Sequence, residues 1–127
     1  MNTVLVVEDD NSVREFLCEV LRGGGYETRE AEGGRQAIRL FEADPVELVI
    51  MDLCMRDGEG IETMRVLRNR RRDVKILVVS GAFGGTLLPL AAKLGADATL
   101  AKPLAPEVLL ETVNKLRHTS SEPAKIF

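Results

Sequence analysis

Apolar and polar positions along this chain alternate between two rhythms. Thr3 to Val7 (TVLVV), Leu48 to Met51 (LVIM) and Val74 to Val79 (VKILVV) are short, nearly continuous apolar runs rich in Val, Ile and Leu. Such runs suit strands buried on both faces, as in a parallel sheet covered by helices. Between them the apolar residues recur at helical spacing. Val13, Phe16, Leu17, Val20 and Leu21 form one stripe, and Ala37, Ile38, Leu40 and Phe41 a second. Ile61, Met64, Val66 and Leu67 form a third, and Val108, Leu109, Val113 and Leu116 close the chain.

Two weaker strands complete the pattern. Tyr26 to Glu30 is short and polar, as an edge strand would be, and Ala98 to Ala101 is a brief run before Lys102-Pro103. Asn11 or Ser12 can cap the first helix, and Gly23-Gly24-Gly25 ends it. The second helix is expected over Gly33 to Glu42, with Asp44-Pro45 breaking it. Thr86 to Leu94 is helical in composition, with Pro89 placed in its first turn or kinking it. The last helix runs from about Pro106 to Arg117. Five strand–helix units in succession predict an α/β fold: a doubly wound, five-stranded parallel sheet in the order 2-1-3-4-5, flavodoxin-like, with helices on both faces. One domain is expected over residues 1–118, followed by a short flexible C-terminal tail over 119–127.

Composition narrows the function classes. At 127 residues with 45% hydrophobic and 29% charged residues, the chain can bury a core without disulfides or metals as staples. A formal net charge of -3 gives no general attraction to nucleic acid or anionic membranes. Its apolar runs fall well short of the roughly 20 residues a membrane span requires, and acids arrive at Glu8 too early for a signal peptide. Cys18 and Cys54 show no CxxC or metal spacing and read as reduced thiols, so a cytoplasmic setting is expected.

The candidate chemistry lies where strands end. Glu8 and Asp9 follow the first strand, Asp52 the third, Ser80 the fourth and Lys102 the fifth. In a sheet of this order those ends are neighbours, and the switch point between strands one and three is where ligands bind. Three crowded carboxylates repel each other unless a cation joins them. Mg2+ suits such a set, because it takes one or two carboxylates, keeps several waters and completes its octahedron with phosphate oxygens. Asp52 retains an oxygen to attack phosphorus, Lys102 can balance the incoming charge, and Ser80 can donate a hydrogen bond to a phosphoryl oxygen. This is the layout of a phosphoryl-transfer site with an aspartyl nucleophile.

These residues resemble the receiver domains of two-component response regulators over nearly the whole chain, roughly Asn2 to Arg117. The family's acidic pair matches Glu8 and Asp9, with Arg14 at its usual place five positions on. Its phospho-accepting aspartate matches Asp52, its Asp-Gly turn aligns with Glu59-Gly60, its hydroxyl-small pair with Ser80-Gly81 and its Lys-Pro pair with Lys102-Pro103. The resemblance implies that Asp9 and Asp52 ligate Mg2+ directly with the backbone carbonyl of Cys54, while Glu8 acts largely through water. It implies a phosphohistidine on a sensor histidine kinase or phosphotransfer protein as donor, and a downstream protein target as the reader. It implies neither an enzyme acting on other substrates, nor nucleic-acid binding by this domain, nor membrane association. A monomer or weak dimer is expected.

Three positions depart from the family pattern. Arg56 stands where proline is usual, Thr99 where Tyr or Phe is usual, and Leu104 where Phe is common after Lys-Pro. Threonine is too small to fill the space of the aromatic that turns inward on phosphorylation, so a constitutive interaction module with the same fold is the rival reading. A haloacid-dehalogenase-type phosphatase would need an acid two positions beyond Asp52, where Cys54 stands, and a cap domain. Isolated features have plainer meanings. Asp10 reads as a helix-start acid, Glu8 alone could be solvated, Arg70 to Arg72 suit the negative end of a helix, and His118 reads as a surface residue.

Overall fold

A computed structural model of the protein describes residues 2–53, 55, 59–81 and 88–118. Its elements run β1 (Thr3–Val7), α1 (Asn11–Gly23), β2 (Glu27–Ala31), α2 (Gly34–Ala43), β3 (Leu48–Asp52), α3 (Gly60–Arg70), β4 (Lys75–Ser80), α4 (Leu88–Lys93), β5 (Ala98–Ala101) and α5 (Pro106–His118). All strand pairings are parallel, and the sheet order is β2-β1-β3-β4-β5. The expected architecture is therefore the observed one.

The continuous apolar runs feed two cores at once, because successive side chains of a strand point to opposite faces. On one face Val4, Val6, Ile50, Leu77 and Val79 pack with Leu17 and Leu21 of α1 and with Leu109 and Val113 of α5. On the other, Leu5, Val7, Val49, Met51, Ile76 and Val78 meet Phe41 of α2, Met64 and Leu67 of α3, and Ala91 of α4. The central strand β3 is buried at every position, including Asp52, whereas the edge strand β2 is mostly exposed or half-buried.

Several boundaries shift from expectation for local reasons. Helix α1 is capped by Asp10, whose carboxylate accepts from the amides of Ser12 and Val13, rather than by Asn11 or Ser12. Aspartate is as good a cap as asparagine or serine, and here the chain leaves β1 early enough for it to take the role. Strand β2 begins at Glu27 because the Tyr26 amide is used to close α1, donating to the Leu21 carbonyl at 3.0 Å. Val74 precedes β4; its amide donates to the Arg71 carbonyl at 3.2 Å, in the turn that ends α3. Pro89 sits in the first turn of α4, where its missing N–H costs nothing.

Candidate functional site

Each acid reaches the sheet's carboxyl edge through an ordinary strand ending. Register places Val7 of β1 beside Met51 of β3, so Glu8 and Asp52 emerge from adjacent strands at the same level. Glu8 and Asp52 are both buried, at 1% and 6% exposure, and Asp9 is half-buried. Carboxylate oxygens of Glu8, Asp9 and Asp52 lie within 4.8 Å of one another. The solvated alternative for Glu8 is thereby excluded: its side chain is buried beside Asp9 and Asp52.

Lys102 joins the group from β5. Its Nζ donates to Glu8 Oε1 at 2.7 Å and to Asp52 Oδ2 at 3.0 Å. The lysine stem crosses Gly81, where an added Cβ would stand 3.2 Å from the Lys102 Cβ, so the position after Ser80 favours a minimal side chain. Ser80, fully buried, ends β4 one residue past Val79, the register partner of Asp52, and its carbonyl accepts from the Lys102 amide at 3.1 Å. The Lys102-Pro103 peptide is cis.

The electrostatics follow from burial and crowding. Desolvation raises the Glu8 pKa above its ordinary value, the nearby Asp52 charge adds to that, and the bonds from Lys102 and from the Asp10 amide oppose it without cancelling it. Burial by itself would lower the Lys102 pKa, but its hydrogen bonds and charge attraction to Glu8 and Asp52 outweigh burial and hold it above the ordinary lysine value. One ammonium thus bonds two of the three clustered carboxyl groups. The donor set is hard carboxylate oxygen, which fits a divalent cation such as Mg2+ and does not suit a soft metal.

Gly60 shows why α3 begins on a glycine. A Cβ at that position would overlap the Leu53 carbonyl oxygen and stand 2.9 Å from its carbon, directly after Asp52. Helix α3 must begin against the loop backbone, and only a residue without a side chain permits that approach. The Asp-Gly alignment at Glu59-Gly60 thus rests on packing at Gly60, while the backbone carbonyl of Glu59 accepts the first α3 bond from Thr63 at 2.8 Å.

A family model for the response regulator receiver domain matches residues 4–114 of the sequence. The chain belongs to that family. The response regulator MprA of Mycolicibacterium vanbaalenii is 36% identical over 113 residues, which are 89% of this chain and 49% of that protein. The DNA-binding response regulator MtrA of Mycobacterium tuberculosis is 35% identical over 125 residues, 98% of this chain and 54% of that protein. The chain spans about half the length of these curated relatives. Among solved structures, the chemotaxis response regulator CheY4 of Vibrio cholerae superposes with a TM-score of 0.82 at 28% identity, covering 91% of this chain and 98% of its own. The receiver domain of NtrX from Brucella abortus shares the fold at a TM-score of 0.87 and 22% identity, covering 92% of this chain and 99% of its own.

Receiver domains are signalling modules, and the remaining candidates take their places within that frame. Cys54 and Arg56 lie outside the described residues. Thr99 is half-buried on β5 beside Val78, on the face that α4 covers. Leu104 is half-buried and packs against the core beneath α1 and α5. Arg70 bonds Glu42 of α2 at 2.6 Å and Arg71 bonds Asp73 at 2.7 Å, as a structural charge run would. His118 is the exposed last residue of α5. Cys18 is buried on the inner face of α1, and desolvation pushes its thiol pKa up, away from reactivity. No helix among the described residues is long and apolar enough to cross a membrane.

Sequence reasoning gave one pocket neighbour no task. Arg14 appears in the sequence only as a family match, yet its guanidinium reaches back to the Glu8 carbonyl at 2.8 Å. The signal available was its spacing, six residues beyond Glu8 and on the first turn of α1.

Proposed function

We propose that Asp52 accepts a phosphoryl group from a phosphohistidine on a sensor histidine kinase or phosphotransfer protein, with small phosphodonors able to substitute. Asp52 and Asp9 would hold Mg2+ directly and Glu8 largely through water. Bound there, the ion offsets negative charge on the acids and on the incoming phosphoryl oxygens. An Asp52 carboxylate oxygen forms the new O–P bond as the donor's N–P bond breaks, and the leaving imidazole takes up a proton. Lys102, already between Glu8 and Asp52, meets the added charge of about −1.5 to −2 on the phosphorylated side chain. Ser80, at the neighbouring strand end, donates to a phosphoryl oxygen and couples the event to β4 and the helix after it.

The observation that carries this reading is the Lys102 ammonium bridging Glu8 and Asp52 at 2.7 and 3.0 Å. An acid cluster that served only as a helix cap or turn would have no reason to bury two carboxylates around one lysine. Incubation with Mg2+ and a small phosphodonor, followed by mass spectrometry, should place the phosphoryl group on Asp52. Asp52→Asn should abolish the labelling, and undiminished labelling of that variant would refute the assignment.

Thr99 supports a second reading, a constitutive interaction module. At a position half-buried beside Val78, a threonine has less surface with which to report the state of Ser80. Binding of a downstream protein partner that is equal with and without phosphorylation would favour it. Binding that strengthens several-fold on phosphorylation would favour the switch. The setting proposed for either is the cytoplasm.

A further inference from the structure

We infer that Arg14 is a positioning residue for the metal site, acting by locking the peptide plane that joins Glu8 to Asp9. The inference rests on the proposed acid site around Asp52. Glu8 stands where β1 stops pairing: its amide closes on the Ala31 carbonyl at 3.0 Å, and its own carbonyl turns to Arg14 Nη1 at 2.8 Å. The same guanidinium donates through Nη2 to Asn11 Oδ1 at 2.6 Å and through Nε to Glu30 Oε1 at 3.1 Å. Its side chain is only 12% exposed. One rigid fork therefore ties the end of β1, the start of α1 and the end of β2 to a single plane.

The Glu8–Asp9 peptide is itself planar, so holding its carbonyl sets the direction in which the Asp9 Cα, and hence the Asp9 carboxylate, leaves the strand. Rotation of that plane would swing Asp9 away from Glu8 and Asp52. Lysine could not replace the arginine, because an ammonium is a point charge that does not present several donors in a fixed plane. Arg14 also carries a positive charge next to a site for a cation. Coulomb repulsion by itself predicts that removing the charge tightens Mg2+ binding. Positioning predicts the opposite sign, which separates the two effects.

The test uses the full chain with Arg14→Lys, Arg14→Met and, as a milder variant that changes no charge, Asn11→Ala, which removes the acceptor of Arg14 Nη2. Mg2+ affinity is read by calorimetry and as the Mg2+ concentration that half-saturates labelling by a small phosphodonor. Loss of a group that orients a metal ligand costs roughly tenfold or more in affinity. The expected result is a rise of roughly tenfold in the half-saturating Mg2+ concentration for both Arg14 variants and a smaller rise for Asn11→Ala. The labelling rate at saturating Mg2+ should stay near that of the unmodified chain. An unchanged half-saturation in Arg14→Lys, or tighter binding in Arg14→Met, overturns the inference, and an unchanged half-saturation in Asn11→Ala does so if the Arg14 variants fold poorly. If the unmodified chain takes no phosphoryl group at Asp52, the acceptor assignment fails, while the calorimetric affinities still decide the role of Arg14.

Discussion

Replacing Lys102 by methionine tests the charge balance of the pocket most directly. The substitution keeps the stem across Gly81 and removes the ammonium that bonds Glu8 at 2.7 Å and Asp52 at 3.0 Å. Glu8 and Asp52 have side chains only 1% and 8% exposed, so their charges would face each other with little water to screen them. Removing one partner of a fully buried ion pair costs about 3–5 kcal/mol. Lys102 is 22% exposed, so that figure is discounted to about 2 kcal/mol. With unfolding entropy of about 2.1 cal/mol/K per residue, the melting temperature in EDTA should fall by roughly 8 °C. Mg2+ should restore most of it and bind more tightly than to the unmodified chain, because the cation and the lysine compete for the same oxygens.

The deficit should also depend on pH. Glu8 has a folded pKa above its ordinary 4.5, so protein in which it is protonated is relatively favoured in acid, and that advantage is lost as pH rises through the raised value. The Lys102→Met deficit should accordingly shrink as pH falls towards that value, since a neutral Glu8 no longer requires a cation. Thermal melts from pH 4 to 8, with and without Mg2+, read both effects. A variant as stable as the parent in EDTA at neutral pH, or one that Mg2+ fails to rescue, would refute the reasoning.

Three further outcomes follow from the same geometry. Glu8→Gln should raise the melting temperature of metal-free protein at neutral pH, since the ionised carboxylate is disfavoured where it lies, and should weaken Mg2+ binding; a lower melting temperature in EDTA would contradict this. Gly60→Ala forces a side chain into the Leu53 carbonyl and should cost about 2 kcal/mol in denaturant unfolding, together with weaker Mg2+ binding as the Asp52 loop shifts. Arg68 donates to the Val74 and Gly95 carbonyls, each at 2.5 Å, and to Asp97 at 2.8 Å, so Arg68→Ala should cost about 1–2 kcal/mol without changing the Mg2+ requirement for labelling.

The gathering of these side chains at the strand ends was legible in the sequence because a parallel sheet with short crossovers leaves little freedom. Three uninterrupted apolar runs demand burial on both faces, and once they and two weaker strands alternate with amphipathic stretches the strand ends share one edge. Asp52, Glu8, Asp9, Ser80 and Lys102 could therefore be placed near one another from their positions alone. Local competition was harder to read. Asp10, Asn11 and Ser12 are all competent caps in succession, and which one serves depends on where β1 releases the chain.

By itself the sequence determined the fold class, the five strands and the carboxyl-edge location of the acids, since hydrophobic period and turn residues are properties of neighbouring positions. Only the tertiary structure decided that Glu8 is buried and raised in pKa, that one lysine bridges two acids, and that Arg14 grips the Glu8 carbonyl while Gly60 clears the Leu53 backbone. The lysine bridge joins groups 94 residues apart, and even the near neighbours Arg14 and Glu8 meet only because the chain turns between β1 and α1. Desolvation and hydrogen bonding act over a few ångströms of space, and no pattern along the chain carries that distance.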